Sequence, residues 1–352
     1  MRSAEKANGA GPGNAGMASQ RNDQSQSEVA SSMGPGSGGA WLQSAESRLD
    51  DTDDVEKIKA IESDIHAQKF KEADASLTGY LKDHPNSWRA HYLLGYVCLR
   101  LRRIGESLKE LSKSLELNIN NAEAHKTLGQ VLSVIGRYEE AETELEEARR
   151  LKPDSAEIHY LLSRVLAIQD KFPQVRQELE AAIRLDPSYK EAYNALGFAL
   201  EALGNDAAAL ASYRRAIQIS EQEGTRFAPP YVNLSSYYNR QNKFDLALEY
   251  AKKALELDPK SDRAYFQMAR TYRTLEDWPH AADALEHAIS INPYSSEYYY
   301  ILSFVYRKLG KVKESQEAMD KFRKLQEETA HLEVMRHEAR RAQRRPQAEG
   351  EQ

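Results

Sequence analysis

The sequence predicts an all-α solenoid of about eight stacked helix hairpins with a C-terminal capping helix and a disordered N-terminus. Three observations carry this prediction. Within residues 122–155, Leu128, Val131, Leu132 and Ile135 fall at i, i+3, i+4 and i+7, one helical stripe, and Tyr138, Ala141, Leu145, Ala148 and Leu151 mark a second. Gly136 separates the two stripes. Lys152-Pro153-Asp154-Ser155 ends the second helix and opens the next copy, because Pro cannot continue a helix and Asp or Ser caps one. The same pattern recurs in register through most of the chain, and a hairpin this short buries its apolar faces only by stacking on its copies.

Residues 1–48 are rich in Gly, Ser and Asn, with Gly34-Pro35-Gly36-Ser37-Gly38-Gly39 as the clearest flexible run, and are expected to be disordered. Trp41-Leu42 reads as a short docking motif or, preferably, as the first turn of a capping helix. Asp50, Asp51, Asp53 and Asp54 precede a helix, where capping and the helix dipole account for carboxylates without a metal. Repeat units one to five then occupy 54–223, dividing at 87, 121, 155 and 189, and units six to eight occupy 228–329, dividing at 261 and 295. Close packing of the helices needs small residues. They form one column on the first helices (Gly95, Gly129, Ser163, Gly197, Ser235, Ala269, Ser303) and one on the second (Ala73, Ser107, Ala141, Val175, Ala209, Ala247, Ala281, Ser315). A third column reads Ala148, Ala182, Ala216, Ala254 and Ala288.

The frame slips once, at residues 224–227 ahead of Pro229-Pro230, and either a hinge between 54–223 and 228–329 or a longer loop on the outer edge would absorb it. Residues 312–344 contain neither Gly nor Pro, so the last helix is expected to run on through an extension at 330–345, with 346–352 as a tail. Phe322, Leu325, Leu332 and Ala339, with Met335 beside them, form a narrow seam. A capping helix folded back on the last unit would cover it, as would self-association.

Composition excludes several classes of function. With formal net charge −6 and 29% charged residues, the chain lacks the basic field that drives nucleic-acid binding. No apolar run approaches the ~20 residues of a membrane-spanning helix, and no apolar leader is visible, which makes the cytoplasm the default expectation. The single cysteine, Cys98, lies on an apolar stripe and reads as a small buried hydrophobe. His91, His125 and His159 recur at one spacing, but helices pack roughly 8–10 Å apart and zinc ligands must lie ~2 Å from the metal, so packing is the expected role. No Walker loop, HExxH, CxxC or nucleophile elbow occurs, and neither catalysis nor a cofactor is expected.

The repeat length and the pattern W-x2-L-G-x2-Y, A-x3-F, A and P, carried over about residues 54–329, resemble the tetratricopeptide repeat (TPR) family. That resemblance implies a right-handed superhelix whose first helices line a concave groove and whose second helices form the convex back. It also excludes two known ligand devices of the family. The terminal-carboxylate clamp of co-chaperone members starts with Lys126 and Gln130 but continues with Leu161, Glu191 and Ala195. The asparagine ladder of glycosyltransferase-linked members is reduced to Asn233 in a column of Lys59, Leu93, Thr127, Leu161, Ala195, Gln267 and Ile301.

Helix periodicity then selects the groove residues. Aromatic and arginine side chains recur there, and these residue types most often carry binding energy. The expected partner-binding set is Tyr92, Tyr96, Arg164, Phe198, Asn233, Arg240, Arg263, Phe266, Arg270, Arg273, Tyr300, Phe304 and Arg307, with Arg89, Asn239 and Lys308 at the flanks. Glu123, Glu157, Glu191, Glu201 and Glu297 are the groove acids that would neutralise these cations. The expected function is a noncatalytic scaffold or adaptor that holds an extended or helical segment of a protein or peptide partner, acidic or aromatic in character. The alternative is an accessory subunit that recruits substrate to a separate enzyme such as a transferase.

Overall fold

The structure, a computed structural model, describes residues 54–343, and these hold sixteen α-helices and no strand. The segment 1–48 with Trp41-Leu42, the carboxylates Asp50, Asp51 and Asp53, and the tail 346–352 lie outside the described residues. Two compact units divide the chain, one ending at Asn205 and the other beginning at Asp206. The first holds α1 (Val55–His66), α2 (Phe70–Asp83), α3 (Trp88–Arg100), α4 (Ile104–Leu117), α5 (Ala122–Val134), α6 (Tyr138–Leu151), α7 (Ala156–Ile168), α8 (Phe172–Leu185) and α9 (Lys190–Ala202). The second holds α10 (Asp206–Gln222), α11 (Pro229–Arg240), α12 (Phe244–Leu257), α13 (Asp262–Thr274), α14 (Trp278–Ile291), α15 (Ser296–Lys308) and α16 (Val312–Gln343).

Local chemistry explains where the helices start and stop. Most first helices open on a side-chain cap: Ser87 Oγ accepts from the Ala90 amide at 3.1 Å, Asn121 Oδ1 from Ala124 at 3.2 Å and Ser261 Oγ from Ala264 at 3.3 Å. First and second helices join through one recurrent turn. In it an amide reaches back five residues, as Arg103 does to the Cys98 carbonyl at 2.8 Å and Asp277 to Tyr272 at 2.9 Å, which satisfies the orphan carbonyls of the helix end. The turn needs a residue in the left-handed region. Gly136 supplies it at φ 76°, the separator expected from the sequence, but Gln68, Arg102, Asp170, Asn242 and Glu276 hold the same place at φ 55–61°.

Packing follows the small-residue columns. Ala73, Ala141, Ala209, Ala247 and Ala281 are fully buried, as are Ala148, Ala182, Ala216, Ala254 and Ala288. Where serine replaces alanine or glycine, its hydroxyl is satisfied: Ser107 Oγ donates across the hairpin to the Gly95 carbonyl at 2.7 Å, Ser235 to Ala247 at 2.8 Å and Ser315 to Ser303 at 2.7 Å, while Ser163 and Ser303 donate within their own helices to Tyr160 at 2.6 Å and Tyr300 at 2.7 Å. The three histidines are clips. Nδ1 of His91, His125 and His159 meets Glu110, Glu144 and Glu178, each at 2.6 Å, and Nε2 meets the carbonyls of Pro85, Ile119 and Pro153 at 3.1, 2.8 and 3.1 Å. Each clip ties a first helix to its second helix and to the preceding turn.

The insertion at 224–227 lies inside the second unit, away from the division at Asn205. Hydrogen bonds tie it to its own unit. Arg226 donates to the carbonyls of Leu257 (2.8 Å) and Glu256 (2.6 Å), the orphan acceptors at the end of α12, and Ser220 Oγ donates to the Thr225 carbonyl at 2.8 Å. The C-terminal extension is one unbroken helix, so it has no turn at which to fold back. Its first half caps the last hairpin through buried Ala318 and Leu325, and its second half runs on as α16.

Candidate partner-binding face

First helices stand side by side in each unit and so build a common face. In the first unit α1, α3, α5 and α7 are successive neighbours, and in the second α11 adjoins α13. The α11–α13 contact is fixed by Asn239, whose Nδ2 donates to the Gln267 carbonyl (3.2 Å) and whose Oδ1 accepts from Thr271 Oγ1 (3.0 Å). Phe266 and Tyr298 join α13 to α15 with ring centroids 4.7 Å apart, and Tyr298 Oη donates to Asp262 at 2.9 Å.

In the first unit the cations of this face are spent on internal pairs. Arg89, expected in the groove, is buried against buried Glu62, with Nη2 and Nε at 2.6 and 2.9 Å from one carboxylate oxygen. Buried Lys126 bridges Glu123 (2.6 Å) and Glu157 (2.8 Å), and Lys152 reaches Glu123 at 3.0 Å. Burial opposes the Lys126 charge, but Glu157 and Glu123 overcome it and hold its pKa above the ordinary lysine value. The aromatics are engaged as well. Tyr96 Oη accepts from Arg100 at 2.8 Å, while the Arg100 guanidinium lies 4.6 Å from the Phe70 centroid. Arg164 lies 5.9 Å from the Tyr160 ring, and Phe198 meets Phe172 edge-on at 6.2 Å.

The second unit differs. Arg240, at the end of α11, sits next in sequence to Asn239, and Arg270, on α13, sits next to Thr271, so the Asn239–Thr271 bond brings the two cations together. Arg273 follows one turn on. Arg240 is exposed as a residue, yet partial desolvation of its guanidinium, and then the Arg270 charge, lower its pKa to about 10, which leaves it charged at neutral pH. Burial also lowers Arg270, against the field of Glu297 and with that of Arg273. No carboxylate among the described residues salt-bridges Arg270 or Arg273. Arg263 is half-buried, its Nη2 3.5 Å from Asn233 Oδ1. Beyond it, Phe304 carries Arg307 and Lys308 at 5.6 and 5.7 Å from its centroid and meets Trp278 edge-on at 5.9 Å.

Three residues of the expected partner-binding set lie in the floor of the face. Tyr92 is 6% exposed, Phe266 is 4% exposed and packed in the core with Leu302 and Val305, and Asn233 is buried. Tyr300, by contrast, is 52% exposed. Trp278 escaped the sequence reading because it opens a second helix. Its partner Lys308 ends a first helix, and that register relation was the available signal. Among the described residues no group of His, Cys, Asp and Glu is placed to hold a metal, and no helix is long and apolar enough to cross a membrane.

These features define a helical-repeat protein with an open face of paired first helices. Tetratricopeptide-repeat family models match residues 63–122, 102–165, 189–260, 238–303 and 296–329, and the chain belongs to that family. The repeats form a protein-interaction scaffold, a fold that is generally noncatalytic. No curated protein sequence matches the chain. Among solved structures, the hetero-tetramer Cut9-Hcn1 of the APC/C matches in fold with TM-score 0.60 and 16% identity, over 75% of this chain and 50% of that one. MamA from Desulfovibrio magneticus RS-1 matches at 20% identity and TM-score 0.43, over 47% of this chain and 96% of that one. YrrB, described as a TPR protein with an unusual peptide-binding site, matches at 20% identity and TM-score 0.34, over 62% and 92%.

Proposed function

We propose that this chain is a noncatalytic adaptor whose second unit receives an acidic, aromatic-bearing segment of a partner protein on its first-helix face. The observation that carries the proposal is the gathering of Arg240, Arg270 and Arg273 without salt-bridged carboxylates at Arg270 and Arg273, where the first unit consumes its cations internally. Arg240 and Arg270, set against one another, gain a counter-charge when a carboxylate arrives, and Arg273 one turn on adds a third cation. Tyr300, Phe304 and Arg307 supply adjoining apolar and cationic surface for an aromatic side chain.

A displayed library of acidic-aromatic peptides, with a matched library carrying Asn and Gln for Asp and Glu, tests this reading. The wild-type chain is expected to enrich the acidic set, and Arg270→Glu with Arg273→Glu to weaken capture more than tenfold. Enrichment unaffected by that double substitution, or by the neutral library, would show that the face is not the binding site.

A further inference from the structure

The last helix outruns the fold that supports it. Over its first half α16 is held by the final hairpin: Ser315 Oγ donates to Ser303, Phe322 meets Tyr300 with centroids 5.3 Å apart, Leu325 is buried, and Gln326 Nε2 donates to Ser296 Oγ at 2.9 Å. Beyond Gln326 the same helix continues to Gln343, with Leu332, Val334 and Met335 exposed by 54, 55 and 53%. Most of a helix's stability in a protein comes from covering its apolar side, and here that side is open.

The sequence of the stretch states what fits it. Glu328, Leu332, Met335, Ala339 and Ala342 fall at alternating four- and three-residue spacings, the register of a two-helix seam. Charge is split along it. Residues 326–335 carry Glu327, Glu328 and Glu333 with no Lys or Arg, whereas residues 336–343 carry Arg336, Arg340 and Arg341 against Glu338 alone. A parallel pair of such helices would set acid on acid and base on base. An antiparallel pair sets the acidic half of each copy on the basic half of the other.

We infer that residues 326–343 of α16 pair antiparallel with the same segment of a second copy of this chain, forming a two-fold dimer joined at the ends of two repeat arrays. Such an interface is isologous, and its charge pattern is complementary to itself. With Leu332 and Met335 as its main apolar residues, it forms a weak dimer whose population rises with concentration.

Sedimentation velocity of the full chain over a concentration series tests this with three variants whose substitutions fall in the extension. The wild type is expected to shift from monomer to dimer, and Leu332→Asp with Met335→Asp to remain monomeric at every concentration. Glu327→Lys, Glu328→Lys and Glu333→Lys together make both halves basic and should also abolish the dimer, as should Arg336→Glu, Arg340→Glu and Arg341→Glu, which make both halves acidic. Mixing the two charge-reversed chains should restore a dimer of one of each. Unchanged circular dichroism of the variants confirms an intact repeat array. A wild-type chain that stays monomeric, a dimer that survives either charge reversal, or a mixture that stays monomeric overturns the inference.

Discussion

His159 touches an acceptor through each ring nitrogen, Glu178 Oε2 at 2.6 Å and the Pro153 carbonyl at 3.1 Å, and only the imidazolium can donate both bonds. The hydrogen bond to Glu178, against burial, raises its pKa, and Glu178, despite its own burial, is lowered by His159 and Arg149. The two signs define a window. The histidine contribution is complete below its unfolded pKa of about 6.5 and is lost as pH rises through the higher folded value, while the Glu178 contribution exists above about 4.3 and is lost as pH falls through its depressed value. His159→Gln is therefore expected to cost about 1–3 kcal/mol near pH ~5.5 and progressively less toward pH ~9, read from denaturant midpoints. A cost that did not change with pH would mean that the clip works as a neutral ring. The arginines of the second unit act at the same scale: Arg89 has Glu62 at 2.6 Å, whereas Arg270 feels Glu297 only through its field.

Each hairpin turn as an element places one residue in the left-handed region, where a side chain costs roughly 1 kcal/mol relative to glycine. Glu276, at φ 57°, is exposed and closes the turn between α13 and α14. Glu276→Gly is expected to stabilise the protein by about 0.5–1 kcal/mol, because relief of backbone strain outweighs the entropy glycine adds to the unfolded chain. Thermal melting checks the direction, and a lower melting temperature would show that the turn gains more from the side chain than from relief. The insertion follows the same logic of satisfied ends: Arg226 spends its guanidinium on the last carbonyls of α12.

Repeat arrays transmit stability between neighbours, so a defect in one unit should stay local. Gly129 is the sharpest place to create one. A Cβ there would lie 2.6 Å from Leu145 Cγ and 3.2 Å from the Ala141 carbonyl. Alanine gains about 1 kcal/mol of helix propensity, but overpacking costs about 1–3 kcal/mol, so Gly129→Ala should destabilise by about 1 kcal/mol. Native-state hydrogen exchange is expected to show lost protection in α5, α6 and the helices packed on them, and unchanged protection in the second unit. Equal loss in both units would make the array one cooperative body.

The sequence by itself determined the repeat: small residues at fixed spacing, capping serines and the prolines between units specify hairpins, because helix periodicity and end chemistry act within a few residues of chain. It also located the second unit's arginines on the first helices. Only the tertiary structure decided which members of those columns are open. Periodicity gives the direction in which a side chain leaves its helix but not what the next helix places over it, so Phe266 lies beneath Tyr298 and Arg89 is spent on Glu62, 27 residues earlier. The setting of the insertion was hidden for the same reason. A frame slip at 224–227 measures inserted length, whereas the carbonyls of α12 that accept from Arg226 lie about 30 residues further on, and only the folded chain brings them there.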